Sequence, residues 1–540
     1  MLTYTSSGRT NIWKGAAWLI ALLTVLPLTV IFLSWTRPAL EIWQHMAENL
    51  LANLLINTLL LGGGVVGLTG FLGVSLAWLT GACDFPGRRF FSWALLLPLA
   101  MPTYVLAFVF LGIFDFTGPV QTFLRDLLGK SVWFPDIRST AGVILVMSFA
   151  LYPYVYLLAR SAFLAQGKQT IEAAQSLGCT SFAAFFRVAL PIARPWIAGG
   201  LLLVLMETLA DFGAVSIFNY DTFTTAIYKA WYGFFSIEAA AQLSSLLVII
   251  VLIVLLLELR LRRGRQYSES ARVTNRVKLL KLEGAAGWAA SVFASIVLLT
   301  AFIVPFGQLI FWCLEGFADL DTAYLGYLGH SLLLSTMAGI FICCCALLLA
   351  YVQRHHPGGV TSFLVRLATL GYALPGTVLA VGLVIVISLF DKQLGSIVAA
   401  MGLETTILLQ GTILTMLLAY AVRFMAAGYN GVNSSMEKIT LSIDEAAQSL
   451  GITGMKMIRK IHVPILRSGL LTAGILVFVD VMKEMPITLM TRPFGWDTLA
   501  VKIFELTSEG EWQRAALPAV ALVAGGIIPL IFLTKQMDKS

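Results

Sequence analysis

The chain has 540 residues, 58% of them hydrophobic and only 12% charged, with a net charge of +7 and a mean hydropathy of +0.86. Soluble domains carry about 25% charged residues, so these few charges cannot cover a water-soluble fold of this length. The apolar runs are continuous, which excludes the alternating segments of a transmembrane β-barrel, and long enough for helices that cross a bilayer.

The fold expected is an all-α polytopic membrane protein. In chain order, apolar runs lie at about 13–36, 50–80, 90–114, 139–164, 195–219 and 238–260. The first is too long for a signal-peptide core and lacks a small-residue cleavage site, so it reads as a retained helix. A second set follows, displaced by 273 positions: about 286–309, 323–353, 363–387, 412–437, 468–492 and 511–533. The window at 412–437 fits least well, because hydropathy alone favours 404–428.

One offset also aligns particular residues. Asn57-Thr-Leu-Leu-Leu matches His330-Ser-Leu-Leu-Leu, Pro102 matches Pro375, Pro191 matches Pro464, and Arg194 matches Arg467. The chain therefore reads as two homologous halves of six spans, about 12 in all. An even number of spans per half places the halves in parallel orientation. The boundaries expected are 1–260 for the N-terminal transmembrane half, 261–284 for a basic linker, and 285–540 for the C-terminal half. The stretch from Arg260 to Glu283 is rich in Arg and Lys and suits a cytoplasmic tether beside anionic lipid. Most of the remaining Lys and Arg fall on the same side if both termini are cytoplasmic. Nothing in this basicity asks for nucleic acid.

Inside this apolar background, seven residues recur unchanged: Glu172-Ala-Ala-Gln-Ser-Leu-Gly178 and Glu445-Ala-Ala-Gln-Ser-Leu-Gly451. Each copy lies between the fourth and fifth span of its half, on the cytoplasmic side. Thr170 or Ser442 can start a helix there, and Ser442 with Glu445 has capping-box spacing. Gly178 and Gly451 can end that helix in a turn. A second short helix is expected up to Pro191 and Pro464. Duplication of a whole polar elbow suggests one partner with two equivalent docking sites.

The pattern Glu-Ala-Ala, three residues, Gly, nine residues, then Ile/Val-x-Leu/Val-Pro resembles the EAA loop of bacterial ATP-binding-cassette importer permeases. Here it reads Glu172, Ala173, Ala174, Gly178, Val188-x-Leu190-Pro191 and again Glu445, Ala446, Ala447, Gly451, Ile461-x-Val463-Pro464. Val188 and Val463 are the departures. The resemblance implies a permease in the bacterial inner membrane whose two loops seat in two copies of a separate ABC ATPase subunit. A periplasmic or extracellular solute-binding protein would deliver the substrate. It implies no cofactor on this chain, with ATP-Mg used by the partner ATPase. Gly129-Lys130-Ser131 lacks the upstream Gly of a phosphate-binding loop, so the chain is not expected to be an enzyme.

The fused form resembles ferric-iron permeases, with thiamine permeases close behind. The likeness is densest at Glu207-Thr-Leu-Ala-Asp211-Phe-Gly-Ala, at Asp480-Val-Met-Lys-Glu484-Met-Pro-Ile-Thr, and in the loop after it. Glu207 with Asp211, and Asp480 with Glu484, have i,i+4 spacing on one helix face. Four acids in two spans should face the bundle interior. They suit a hard cation such as Fe(III) in a pathway or gate; equally, they suit pairing with Lys483 and backbone donors that holds the spans together. Twelve spans also fit a gradient-driven secondary transporter, which would have no use for twin elbows. Other polar residues read as structural: His355-His356-Pro357 as a cytoplasmic turn, Tyr220, Tyr228 and Tyr232 as interface tyrosines, the six cysteines as small reduced residues, and Pro102 and Pro375 as kinks.

Overall fold

A computed structural model of the chain describes residues 7–36, 40–129, 133–178, 180–262, 279–316, 322–401 and 409–537, with only the backbone described over 7–11, 40, 166–175, 181–182, 258–259, 261–262 and 528–537. Most of the 261–284 linker, the Lys130-Ser131 pair and Cys179 lie outside the described residues. Among the described residues, eleven helices are long and apolar enough to cross a membrane. The expected twelfth coincides with Trp512–Met537, whose last side chains are not described. Almost everything is helical. Among the described residues, the single β pairing is a two-residue parallel bridge between Cys83–Asp84 and Leu280–Lys281.

The offset proves a better guide than hydropathy in the tenth span, which runs Ile413–Met436 and so follows the displaced window. In the third and ninth spans the prolines do more than kink. Helix Arg88–Ala94 gives way to a 3-10 turn at Leu97–Ala100, and a new helix starts after Pro102 at Thr103. Likewise Gly359–Thr369 leads into a turn at Leu370–Ala373 and a fresh helix from Gly376. Pro102 and Pro375 are both extended, at φ/ψ of −57/147° and −58/142°. Met101 and Leu374 before them are extended too, as a residue preceding proline prefers. With no N–H on the proline, the helix is interrupted and restarts.

Two compact units emerge, and each draws on both sequence halves. One comprises Met1–Gln44, Ile227–Val248 and Asp321–Lys502; the other comprises His45–Ala226, Ile249–Leu320 and Ile503–Ser540. Compactness and sequence repeat thus divide the chain differently. In the first unit, the N-terminal helix Ser7–Leu33 packs on Gly359–Thr369 and Gly376–Ala400. Gly382 permits this approach, since a Cβ there would lie 2.7 Å from the Pro27 carbonyl oxygen. In the second unit, Val304–Glu315 packs on Thr103–Phe114. There a Cβ on Gly112 would stand 2.4 Å from the Trp312 ring. Small residues at close helix crossings are the usual means of packing in lipid, where no hydrophobic gain drives association. The first span of each half therefore lies against the third span of the other.

Candidate functional site

Two features recur in both halves: the elbow between the fourth and fifth spans, and a break at the far end of the fifth span.

The second elbow is described in full. Thr440 is the residue before the helix Leu441–Ser449, with extended φ/ψ of −69/150°. Ser442 lies inside that helix, with its hydroxyl 3.0 Å from that of Thr440. The expected Ser442–Glu445 capping box is therefore not formed, because helix entry falls two residues earlier. Asp444 and Ala447, three residues apart, face inward and are buried; Glu445, Ala446, Gln448 and Leu450 are exposed. The helix ends as expected on Gly451, at φ +72°. The Gly451 N–H donates to Gln448 O (2.9 Å) and the Ile452 N–H to Ala447 O (2.9 Å), which is the Schellman pattern. The chain re-enters the bundle through Met455–Met457 and a π-turn, Ile458–His462, before the long helix Val463–Lys483.

The first elbow shares the exit but not the entry. Helix Thr140–Ser176 runs unbroken through the motif, so Thr170 lies inside a helix and does not start one. The side chains of Glu172, Ala173 and Ala174 lie outside the described residues. Gly178 takes φ +88°. A π-turn, Phe185–Ala189, again precedes the long helix Leu190–Ala210. Expectation had a separate short helix ending near Pro191 and Pro464. Instead each π-turn feeds directly into the fifth-span helix, with proline in its first turn. The wider π-turn and the first-turn position spare the bundle a helix-breaking proline.

Beneath the second elbow lies a polar cluster that the sequence reading passed over. Arg354 Nε donates to Asp444 Oδ2 at 2.5 Å, while its terminal nitrogens donate to Met436 O (3.1 Å) and Ile439 O (2.8 Å). His462 Nε2 lies 2.9 Å from Asp444 Oδ1. His355, expected in a turn, ends the helix Ala323–His355 with its Nε2 3.6 Å from Asp444 Oδ2. Burial alone would raise the Asp444 pKa, but hydrogen bonds and charge from His462 and Arg354 outweigh it and hold the carboxyl below its ordinary value. The available signal was the presence of Arg354, His355, Asp444 and His462 where positions 273 earlier hold Gly81, Ala82, Ile171 and Ala189.

At the other end of the fifth spans, neither acid pair, Glu207 with Asp211 or Asp480 with Glu484, lies on one continuous helix face as expected. Leu190–Ala210 stops before Asp211, and Val463–Lys483 stops before Glu484; both acids are extended. Glu207 and Asp480 stay within the helices. Asp211 caps the short helix Gly213–Ile217: its Oδ1 accepts from the N–H groups of Ala214 (2.9 Å) and Val215 (3.3 Å), and its Oδ2 from the Thr103 hydroxyl (2.5 Å). Its backbone carbonyl accepts from the Thr224 hydroxyl at 2.6 Å. Glu484 does the same for Pro486–Thr491. Its Oε1 accepts from Ile487 N–H (3.2 Å) and its carbonyl from the Thr488 hydroxyl (2.7 Å), which also meets Tyr420 at 2.6 Å. Asp211 and Glu484 thus each satisfy backbone donors where a long helix is broken, and free backbone groups would be costly in lipid.

This architecture is that of a multi-pass helical membrane protein whose two elbows share a positive-φ glycine and a π-turn before the fifth span. Residues 73–263 match the family described as binding-protein-dependent transport system inner membrane component, which marks a permease domain of the ATP-binding-cassette transporter type. It is similar to the Fe(3+)-transport system permease protein FbpB 2 of Haemophilus influenzae, at 28% identity over 532 residues, covering 96% of this chain and 98% of that one. It is also 29% identical over 198 residues to the sulfate transport system permease protein CysW of Escherichia coli K12, covering 36% of this chain and 66% of that protein. A probable sulfate transport system permease protein cysT of Chlorokybus atmophyticus is 30% identical over 177 residues, 33% of this chain and 60% of that one. Permeases of this family are transport rather than catalytic components, sit in the inner membrane, and work with ATPase and binding-protein partners.

Proposed function

We propose that this chain imports ferric iron, received from an external binding protein, and that its two elbows each seat in one of two copies of an ABC ATPase subunit. The observation that carries the iron reading is the end-to-end similarity to the Fe(3+) permease, which spans both halves where the sulfate relatives cover about a third of the chain. ATP-Mg is consumed by the partner; this chain supplies the pore.

Support for the docking reading is local. The second elbow buries Asp444 and Ala447 and presents Glu445 and Ala446 outward. Leu177 and Leu450, at equivalent places in the two elbows, are 86% and 77% exposed. Large apolar side chains displayed at matching turns outside the bilayer suit a protein partner. This reading puts both elbows and both termini in the cytoplasm.

The acids fit a gate. Asp211 and Glu484 hold the helix breaks shut by capping, and Glu207 and Asp480 lie one turn earlier on the same helices. Substrate passing here would compete for the oxygens that hold the breaks together. Thiamine as cargo, or a gradient-driven carrier, remains the alternative that the test must separate. The test is uptake into vesicles containing the permease, its ATPase and its binding protein. The proposal expects ferric iron to accumulate only with internal ATP and to persist when ion gradients are collapsed. Uptake that follows the gradient, or that carries thiamine or sulfate in place of iron, overturns it.

A further inference from the structure

The cluster beneath the second elbow has the composition and geometry of a metal site, and nothing in the transport reading uses it. His355, Asp444 and His462 each offer one ligand atom, and these atoms all lie within 4.8 Å of one another. They come from three elements: the end of Ala323–His355, the elbow helix Leu441–Ser449, and the π-turn Ile458–His462. All three side chains are removed from solvent, at 13%, 5% and 0% exposure.

Hydrogen bonding leaves one ligand atom, His355 Nε2, uncommitted. His355 Nδ1 lies 3.2 Å from the Tyr351 carbonyl, so that nitrogen carries the proton and Nε2 presents a lone pair. This Nε2 is buried, makes no hydrogen bond among the described residues, and stands 3.6 Å from Asp444 Oδ2. A lone pair facing a carboxylate oxygen at that distance repels it; a cation between them turns the contact into coordination. On the other side, His462 Nδ1 is buried without a hydrogen bond among the described residues. Its Nε2 is held by Asp444 Oδ1 at 2.9 Å, and it becomes a ligand when a metal ion replaces the shared proton and the ring proton sits on Nδ1. The outer support is also present. Tyr351 fixes the His355 ring through its carbonyl and stacks on it with ring centroids 4.2 Å apart.

We propose that His355, Asp444 and His462 bind a divalent first-row transition metal such as Zn(II), Co(II) or Fe(II). Two imidazoles and one carboxylate suit these ions and not the hard, oxygen-seeking Mg(II) or Ca(II). Bonds of about 2.1 Å bring ligand atoms to roughly 3.4 Å apart, so binding contracts the cluster slightly and ties the elbow to the ends of two spans. Arg354 already neutralises the carboxylate, which weakens the site and makes binding reversible. The first elbow has Gly81, Ala82, Ile171 and Ala189 at the corresponding positions and cannot copy the site. The metal therefore acts on one elbow of the pair. Given the docking reading above, that makes it a sensor of internal metal that stiffens one of two couplings.

The experiment needs neither transport nor the ATPase, so it stands apart from the test of that reading. Purified full-length chain, stripped with chelator, is titrated with Co(II) and followed by visible d–d absorption, then competed with Zn(II). The expected result is one Co(II) per chain with imidazole-type bands, displaced by Zn(II). Binding should weaken at least tenfold in His355→Gln and Asp444→Asn. His355→Gln alters the most accessible ligand, so its metal-free elution and unfolding profile should match the parent even if the more buried variants fold poorly. Absence of Co(II) bands in the parent chain, or bands that persist unchanged in His355→Gln, overturns the proposal.

Discussion

The Thr103 hydroxyl donates to Asp211 Oδ2 at 2.5 Å, and at the two equivalent positions of the other half stand Gly376 and Glu484. A Cβ on Gly376 would lie 2.7 Å from Glu484 Oε1. The longer acid thus occupies space that a threonine fills in the first half. Each half closes its helix break with a carboxylate of the length its neighbour allows.

That exchange predicts compensation. Gly376→Thr alone should destabilise the chain by about 1–3 kcal/mol through overpacking. Glu484→Asp alone should cost about 1 kcal/mol through a weakened cap. The double variant rebuilds the first-half pair and should recover most of the loss. A double-mutant cycle on thermal unfolding in detergent measures this, and simple additivity of the two losses counts against the pairing.

Loss of the cap in the first half should be felt by both stability and transport. Asp211→Asn keeps the shape but weakens charge-assisted bonds to Thr103, Ala214 and Val215, at about 1–2 kcal/mol. Uptake should fall more than the folded fraction does if the break also gates the pathway. Equal losses in both would leave Asp211 a purely structural cap.

Gly178 and Gly451 have open space around the position of a Cβ, at φ +88° and +72°. Substitution by alanine therefore tests backbone conformation alone, with a cost of about 1 kcal/mol each. Both variants should insert normally in the membrane but stimulate the ATPase poorly. Full stimulation in the Gly178→Ala/Gly451→Ala double variant would show that the turn geometry does not matter for docking.

Asp444 gives a pH dependence with a definite sign. Its folded carboxyl titrates below the ordinary value despite burial, because His462 and Arg354 favour the charged form. Its contribution is complete above the unfolded carboxylate range and is lost as pH falls through the lower folded value. In chelator, Asp444→Asn should cost about 3 kcal/mol at pH 7 by leaving Arg354 without its buried counter-ion. The gap between variant and parent should begin to narrow below about pH 4 and keep narrowing as the pH falls further. Thermal unfolding across pH 3–7 checks this.

Much of the architecture was legible because apolar runs and an internal repeat are long-range patterns. One offset located the tenth span where hydropathy pointed elsewhere, and it paired Pro102 with Pro375 and Asp211 with Glu484. The helix breaks were not legible, since i,i+4 spacing at Glu207 and Asp211 reads the same whether or not the helix ends at Ala210. What ends it is tertiary: donors from Thr103 and from the next short helix gather around Asp211. The Arg354–Asp444–His462 cluster escaped for the opposite reason. Its members are far apart in sequence and absent from the first half, so a reading built on what the halves share passed over where they differ.

The docking role of the elbows is the claim on which the importer account rests. Glu172→Lys with Glu445→Lys, reconstituted with the partner ATPase and binding protein, tests it through ATP-driven iron uptake alongside co-purification of the ATPase. The account predicts a permease that reaches the membrane intact, loses ATPase or its stimulation, and takes up at most a small fraction of the parent's iron. Uptake and ATPase capture at parental levels in that double variant would contradict it.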